Sequence, residues 1–264
     1  STYADWADFD LDGDNDLLIT NKSIEKRYQS YSKEMCYFLE NDGYGQFHKR
    51  SSKKLPSVQA SRVYRLDDNG TGITDVIILN KKRIYYLVGK GKWSFSLETK
   101  KRFSETSPMK EIVFGDINND GLDDFFVGNA KDAAASLYVQ KPNGVFIETN
   151  SNLFDLDRIF EDTDAEFVDI DNDNDLDLYV TSGGYENLEN SKLLQNRLYI
   201  NNGKGIFKKT KLFENLTQTK KVVFSDFDQD GDPDLYLATD YASNQFLRND
   251  GADQWTDITL ASKT

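Results

Sequence analysis

The chain has 264 residues, with 45 Asp or Glu against 32 Lys or Arg, so its formal net charge is −13. This acidity argues against a nucleic-acid partner, which requires basic patches. No apolar run approaches the roughly 18 residues that a membrane-spanning helix needs. The single Cys36 excludes an internal disulfide framework, and the single His48 leaves little for imidazole catalysis or a His-based zinc site. We interpret both residues as incidental in a folded globular chain.

An acidic segment that runs into an apolar segment occurs five times along the chain. The first copy, WADFDLDGDNDLLIT, spans residues 6–20. Successive copies are separated by 59, 49, 53 and 57 residues. Self-similarity at such a period indicates a repeat architecture. Counted from their first aspartate, the five loops begin at Asp8, Asp67, Asp116, Asp169 and Asp226.

Each acidic loop is followed by the same series of elements. A second strand, a variable loop and a third strand lead through a Gly- or Asn-rich turn to a fourth strand, as in RLYINNGKGIF at 197–207. Asn-Gly and Asp-Gly turns between apolar segments are hairpin signals. The pattern predicts an all-β fold, a β-propeller of four-stranded antiparallel blades with five blades in this chain. We expect residues 1–264 to form a single propeller domain or a fragment of one, with at most a short helix at 23–35.

Oxygen-bearing side chains occur at alternate positions of each acidic loop. Positions 1, 3, 5 and 9 carry Asp, Asn or Thr, and position 6 is Gly or, in the fourth copy, Asn174. Gly and Asn both tolerate the positive φ of a sharp turn, and position 7 would add a backbone carbonyl. The candidate ligands at positions 1, 3, 5, 7 and 9 are Asp8, Asp10, Asp12, Asp14 and Asp16; Asp67, Asn69, Thr71, Ile73 and Asp75; Asp116, Asn118, Asp120, Leu122 and Asp124; Asp169, Asp171, Asp173, Asp175 and Asp177; and Asp226, Asp228, Asp230, Asp232 and Asp234.

This ligand set favours calcium. Five or more oxygen ligands without sulfur or imidazole disfavour zinc and copper, and magnesium would prefer fewer carboxylates and more water. Up to five Ca²⁺ ions are predicted, and five would bring the formal net charge from −13 to −3. The second loop has only two side-chain carboxylates, Asp67 and Asp75. We therefore expect its site to be the weakest, or empty.

Three other interpretations of the loops were compared with calcium binding. Asp-x-Asp after a strand also occurs in aspartyl phosphatases and metal-dependent glycosyltransferases, but those enzymes need one such site on an α/β scaffold. Acidic turns solvated at the surface do not explain a register kept five times. An EF-hand requires a bidentate Glu at position 12, where this chain has Ile19, Ile78, Val127, Val180 and Leu237.

The D-x-[DN]-x-D-G-x-x-D loops and the hairpin NRLYINNGKGIF resemble the FG-GAP/VCBS repeat family, the propeller repeat of integrin α-subunits and many bacterial surface proteins. The stretch that begins FVDIDNDNDLDLYVTSGGYE is especially similar to Bacteroidetes VCBS proteins related to cartilage acidic protein. The resemblance covers nearly the whole chain. It implies a secreted or outer-surface protein used in adhesion, glycan handling or complex assembly. Because such propellers often have seven blades and this chain starts abruptly at Ser1, we expect a smaller ring or part of a larger polypeptide.

Connectivity places the metal loops and the tight hairpins on one face and the loops between strands 2 and 3 on the other. The longest of the latter, at 21–36 and 182–196, carry Tyr28, Tyr31 and Tyr185. We expect partner contact there, with solvated excursions as the alternative. The chain is thus interpreted as a calcium-stabilised, extracytoplasmic interaction or adhesion module, not an enzyme, that binds a protein or a glycan at the cell surface. The alternative is a carbohydrate-binding or carbohydrate-active propeller.

Two smaller features have structural interpretations. Glu161 and Asp162 could form an acid–base pair, but a polar turn at the entry of a strand is the simpler explanation. Aromatic residues two positions before the loops and at the hairpin ends are expected to pack between blades. These residues are Trp6, Phe114, Phe167 and Phe224, and Phe47, Phe146, Phe207 and Trp255.

Overall fold

The computed structural model describes residues 2–21, 36–50, 62–66, 72–79, 84–97, 109–211, 213–251 and 254–259. Twenty β-strands lie in this part of the chain, and they form five four-stranded antiparallel sheets. In every sheet the four strands pair in chain order, so each sheet is one up-and-down blade. The all-β fold with five four-stranded blades is therefore confirmed. The helix considered at 23–35 lies outside the described residues.

The first compact unit, Ser1–Met109, contains the first two blades. Blade 1 consists of β1 (Thr2–Ala7), β2 (Asp16–Asn21), β3 (Cys36–Asn41) and β4 (Phe47–Arg50). Blade 2 consists of β5 (Arg62–Leu66), β6 (Asp75–Leu79), β7 (Ile84–Gly89) and β8 (Phe95–Leu97).

The second compact unit, Lys110–Thr264, contains the other three blades. Blade 3 consists of β9 (Met109–Gly115), β10 (Asp124–Asn129), β11 (Ser136–Gln140) and β12 (Phe146–Thr149). Blade 4 consists of β13 (Glu161–Val168), β14 (Asp177–Gly183), β15 (Arg197–Ile200) and β16 (Lys208–Thr210). Blade 5 consists of β17 (Gln218–Ser225), β18 (Asp234–Asp240), β19 (Gln245–Asn249) and β20 (Trp255–Asp257).

The interior strands of blade 3 and the second strand of blade 4 are buried on both faces, whereas the fourth strands of blades 1 and 4 are exposed. Every residue of β10, β11 and β14 is buried, and every residue of β4 and β16 is exposed. Burial on both faces explains why the second strands are continuous apolar runs and not alternating ones. The apolar segments that follow the acidic loops in the sequence are these buried second strands.

The hydrophobic cores lie between neighbouring blades. In the first unit, Phe9 and Phe38 of blade 1 pack with Phe95 of blade 2, and the rings of Phe38 and Phe95 stack at 5.4 Å. In the second unit one cluster joins blades 3 and 4 around Phe126 and Tyr199, and another joins blades 4 and 5. Face-to-face burial of this kind is the main source of stability for short strands.

Four of the eight predicted aromatic positions, Phe167, Phe207, Phe224 and Trp255, pack between blades as expected. Phe207 is buried between blades 3 and 4, and Phe224 and Trp255 pack against the cluster between blades 4 and 5. Trp6 and Phe47 differ, because they pack edge to face on each other within blade 1 and remain 48% and 41% exposed.

A six-residue helix, α1 (Ser151–Leu156), connects blades 3 and 4 and was not predicted. It follows Asn150, which has a φ of 56° and makes no side-chain cap. The Asn150 side chain instead donates to the Gly205 carbonyl and accepts from the Phe207 N–H of the next hairpin. No helix in the described part of the chain is long and apolar enough to cross a membrane.

Candidate metal centres

Four complete acidic loops lie within the described residues and share one backbone arrangement. The carboxylate at position 1 accepts hydrogen bonds from the N–H groups at positions 5 and 6. Asp169 accepts from Asp173 and Asn174, both at 3.0 Å. The loop therefore wraps around its first carboxylate. The same pair of bonds, at 2.7–3.1 Å, is made by Asp8, Asp116 and Asp226.

Two positions of each of the four complete loops adopt a left-handed backbone. Position 6 was predicted to do so, and its φ lies between 69° and 99° in all five copies, including Asn174. Position 4 also has a positive φ, between 57° and 69° in the four complete loops. This second reversal was missed because Leu11 and Gln229, which occupy it in two loops, are not residues that favour this region.

The loop conformation brings carboxylates from alternate positions together. In three loops, one oxygen from each of three aspartates lies within 4.8 Å of the others. A single ion can be reached by all three groups at this separation. The clusters are Asp8, Asp10 and Asp16; Asp169, Asp171 and Asp177; and Asp226, Asp228 and Asp230.

Most of the other predicted ligands lie within the described residues and make hydrogen bonds inside their own loop. In the third loop, position 3 is Asn118, whose Oδ1 accepts from the Asp120 N–H at 3.1 Å. Of the second loop, Asp67, Asn69 and Thr71 lie outside the described residues. The position 5 carboxylates each accept from the N–H at position 7, at 2.9–3.0 Å, in the pairs Asp12–Asp14, Asp120–Leu122, Asp173–Asp175 and Asp230–Asp232.

The aspartate at position 9 is fully buried and connects three parts of its blade. Asp177 Oδ2 accepts from the Ile170 N–H in the loop, and Oδ1 accepts from the Asn201 N–H at the end of the third strand. Asp16, Asp124 and Asp234 make the equivalent two bonds. In blade 2, Asp75 accepts from Gly89 N–H and the Tyr86 hydroxyl. Position 9 thus links the loop to the hairpin by hydrogen bonds alone.

An asparagine at the end of the third strand ties neighbouring blades together. Asn201 Nδ2 of blade 4 donates to the Ile117 carbonyl of blade 3 at 2.7 Å, and Asn249 of blade 5 donates to the Ile170 carbonyl of blade 4 at 3.4 Å. These bonds anchor the hairpin of one blade on the acidic loop of the preceding blade. The sequence pattern predicts only that this asparagine belongs to a hairpin turn.

The side chain at position 7, and not only its backbone, takes part in contacts between loops. Asp175 accepts from Asn119 Nδ2 of the preceding loop at 2.9 Å, and Asp232 accepts from Asn172 Nδ2 at 2.6 Å. Asp175 also lies so close to Gly203 that a Cβ there would come within 2.4 Å of its oxygen. The loops of blades 3, 4 and 5 are therefore chained by side chains, one loop to the next.

Burial disfavours the charged form of several of these carboxylates. Burial is the main reason that the pKa of Asp16 is raised to about 6 and the pKa of Asp124 and Asp177 to about 7; neighbouring loop carboxylates contribute to the rise, and hydrogen bonds from backbone N–H groups oppose it. At position 3, burial and the adjacent Asp12 raise the pKa of Asp10. A positive charge inside the loop would offset both effects.

The first loop contains a buried carboxylate oxygen that a cation could satisfy. Asp10 Oδ2 accepts from Trp93 Nε1 at 3.1 Å, but Asp10 Oδ1 is buried and has no hydrogen-bond partner among the described residues. A buried carboxylate oxygen without a partner is costly. A hard cation between Asp8, Asp10 and Asp16 would satisfy it, and the donor set contains only oxygen, as such a cation prefers.

A cavity of about 270 Å³ lies beside the fourth loop, between blades 4 and 5. Its apolar wall includes Ile170, Leu198 and Trp255, and its polar wall includes Asp171 and Asp232. Because Asp171 belongs to a carboxylate cluster and Asp232 is bonded to Asn172, the cavity is part of the loop face.

Glu161 and Asp162 do not form an acid–base pair. Glu161 pairs with Lys110 at 2.6 Å on the surface, whereas Asp162 is buried and pairs with the buried Arg197 at 2.5 Å. Asp162 Oδ2 also accepts from the Asn129 N–H of blade 3. The Arg197 guanidinium lies 4.6 Å from the centre of the Phe160 ring. The pair is a structural contact at the entry of β13.

The repeated four-stranded blades and their acidic loops define the chain as a β-propeller. Comparison with known proteins agrees: residues 67–127 and 116–180 match the FG-GAP-like repeat, so this propeller contains FG-GAP-like repeats. A solved structure of an Agrocybe aegerita lectin that recognises non-reducing terminal N-acetylglucosamine has a similar fold, with a TM-score of 0.62 and 15% identity. The match covers 97% of this chain and 65% of the lectin chain. Among curated proteins, none matches the sequence significantly.

Proposed function

We propose that the chain is a calcium-stabilised β-propeller module in which the ions hold the loops between strands 1 and 2. The observation that carries this proposal is the repeated convergence of carboxylates in the loops, with the partnerless Asp10 Oδ1 buried in one of them. The side chains at positions 1, 3, 5 and 9 and the carbonyl at position 7 would supply the ligands. Calcium accepts six to eight oxygens in flexible geometry, which suits such loops.

Calcium binding would couple directly to folding. Position 9 already links the loop to the third strand through Asp177 and its equivalents. An ion that binds the folded loop but not the unfolded chain stabilises the protein by mass action. Because a single cysteine allows no internal disulfide, bound ions would add cross-links to the hydrogen bonds that already join the loops.

Thermal unfolding at graded free calcium tests this proposal. At a calcium concentration 100 times the dissociation constant, one site contributes about 2.7 kcal/mol, and about 1 kcal/mol shifts the melting temperature of a 150–250-residue domain by about 2–4 °C. Several sites should therefore raise the melting temperature by more than about 10 °C between EGTA and millimolar calcium.

Two controls make this test specific. Magnesium at the same concentration should restore only a small part of the shift. Asp10→Asn should reduce the calcium-dependent shift, whereas Asp155→Asn, at an exposed helix residue away from the loops, should leave it unchanged. An identical melting curve in EGTA and in calcium would refute the metal proposal.

We further propose that the module acts outside the cytoplasm as a protein-interaction or adhesion unit without catalytic activity of its own. Extracellular calcium is high enough to fill sites with dissociation constants of about 10⁻⁴–10⁻³ M, as in other extracellular modules. The engagement of Asp162 by Arg197 supports a non-enzymatic role, because it removes the acid–base candidate.

Carbohydrate binding is the second candidate function. It is favoured by two exposed tyrosine rings, Tyr185 and Tyr241, that lie side by side at the ends of blades 4 and 5. The Agrocybe aegerita lectin, which recognises N-acetylglucosamine, illustrates that a similar fold can carry a sugar site. Screening the chain against an oligosaccharide panel distinguishes this candidate from a purely protein-binding role.

A further inference from the structure

Tyr185 and Tyr241 lie at the ends of two neighbouring blades, on the side away from the metal loops. Tyr185 follows β14 and Tyr241 follows β18, and both strands start at the position 9 aspartate of a metal loop. A seven-residue strand is about 20 Å long. The two tyrosines, which we call the tyrosine pair, are therefore spatially separate from the candidate ions.

The tyrosine pair forms an open corner. Tyr185 is 68% exposed and Tyr241 is 89% exposed. The ring centroids are 6.4 Å apart and the ring planes meet at 76°. Large aromatic residues this exposed, next to each other on separate loops, are typical of ligand contacts.

Lys220 holds one wall of this corner in place. It is the extra residue of a β-bulge in β17, between Thr219 and Lys221. Its ammonium donates to the Tyr185 hydroxyl at 2.5 Å, lies 4.6 Å from the centre of the Tyr185 ring and pairs with Asp240 at 3.0 Å. Bulges re-aim side chains in this way and are frequent beside binding sites.

The backbone of the other wall is held in an unfavourable conformation. Tyr241 has a φ of 62°, which is rare for a bulky residue. The turn around it is fixed by Thr239 Oγ1, which donates to the Ala242 carbonyl, and by Asn244, whose amide donates to the Tyr236 hydroxyl. Strained and exposed residues kept rigid by their surroundings are concentrated at functional sites.

A buried polar network supports the tyrosine pair from below. Asn196 accepts from the Ser182 N–H and donates to the Tyr179 hydroxyl and to Thr219 Oγ1, which belongs to the next blade. Ser182 also donates to the Gln195 carbonyl. The two blade ends are therefore locked together just before the loops that carry the two rings.

The chemistry of this corner selects a small, neutral, flat ligand. Lys220 and Asp240 pair with each other, so neither of them presents an unpaired charge to an ionic ligand. Two rings offer far less area than the ~1,600 Å² of a standard protein interface. We propose that the tyrosine pair binds a neutral pyranose of a glycan, with the sugar ring stacked on Tyr241 and its hydroxyls bonded to Asp240 and Lys220.

Binding to immobilised oligosaccharides tests this proposal, which rests on the proposed role of the chain as an interaction module. The panel contains neutral oligosaccharides of glucose, galactose, mannose and N-acetylglucosamine, together with uronic-acid and sulfated ones. The intact chain should bind at least one neutral member. Tyr241→Ala and Tyr185→Ala should weaken this binding by about tenfold or more, as expected for the loss of one aromatic contact.

Matched variants separate recognition from folding. Tyr241→Phe keeps the ring and should retain binding, and Tyr44→Ala removes a tyrosine that is 91% exposed in blade 1 and should have no effect. Failure to bind any neutral oligosaccharide, binding of acidic ones alone, or equal binding by Tyr241→Ala would each overturn the proposal. Calcium-dependent melting of the same samples reports on the metal proposal independently, so the two can fail separately.

Discussion

Replacing Asp177 with alanine should lower the free energy of unfolding by about 2–6 kcal/mol, because it leaves the buried N–H groups of Ile170 and Asn201 without acceptors at about 1–3 kcal/mol each. Asp177 is completely buried, so both N–H groups lie away from bulk solvent. Asp177→Asn should recover little of the loss, since its amide group would turn a donor toward one of the two N–H groups. Urea unfolding in millimolar calcium measures the effect.

Asp175→Ala is the matched control for this substitution. Asp175 lies two residues away in the same loop, but its side chain is partly exposed and accepts one side-chain hydrogen bond, from Asn119. Its removal should lower the free energy of unfolding by about 0.5–1.5 kcal/mol. Equal losses for the two alanine variants would show that position 9 has no special bracing role.

Asp162→Ala should lower the free energy of unfolding by about 3–5 kcal/mol, because it leaves the Arg197 guanidinium charged, buried and unpaired. Asp162 and Arg197 are each 3% exposed, and Arg197 Nε already lacks a partner among the described residues. Burial of a charge without a counter-ion is among the largest single-residue penalties in a folded protein.

The double variant Asp162→Leu/Arg197→Met distinguishes a charge effect from a packing effect. Because it removes both charges, it should recover more than half of the loss seen in the single variant. The Asn129 N–H would still lack its acceptor, so recovery should remain incomplete. If the double variant is as unstable as Asp162→Ala, the loss does not arise from an unpaired charge. Both proteins are compared by urea unfolding under the same conditions.

Local patterns in the sequence were sufficient to predict the blades. The acidic loops, the apolar second strands and the Asn-Gly hairpins each depend on neighbouring residues only, and all recur at one period. The positive φ of Asn174 was likewise predictable, because the residue types that tolerate a left-handed backbone are few. The match of residues 67–180 to FG-GAP-like repeats agrees with the resemblance seen in these loops.

Contacts between blades were not predictable, because their partners are far apart in the sequence. Asn119 and Asp175 are separated by 56 residues, and Asn172 and Asp232 by 60. Nothing within either segment indicates its partner. Lys220 could not be placed either, since its direction depends on a bulge that only the pairing of β17 with β18 reveals.

The candidate metal sites could be predicted from the sequence, whereas the tyrosine pair could not. The metal ligands follow from spacing within one loop, so they could be named residue by residue. Tyr185 was noted in its loop, but Tyr241 was missed because its loop is short and the pairing of the two rings depends on how blades 4 and 5 pack. Sites formed by two blades require the structure, whereas sites formed by one loop do not.

Calorimetric titration of the chelator-stripped chain with calcium tests the central claim most directly. The four complete loops and the weaker second loop predict four or five bound ions per chain. Asp10→Asn should weaken or remove one of them, and magnesium should not compete at equal concentration. A stripped, folded chain that binds no calcium at millimolar concentration would contradict the account.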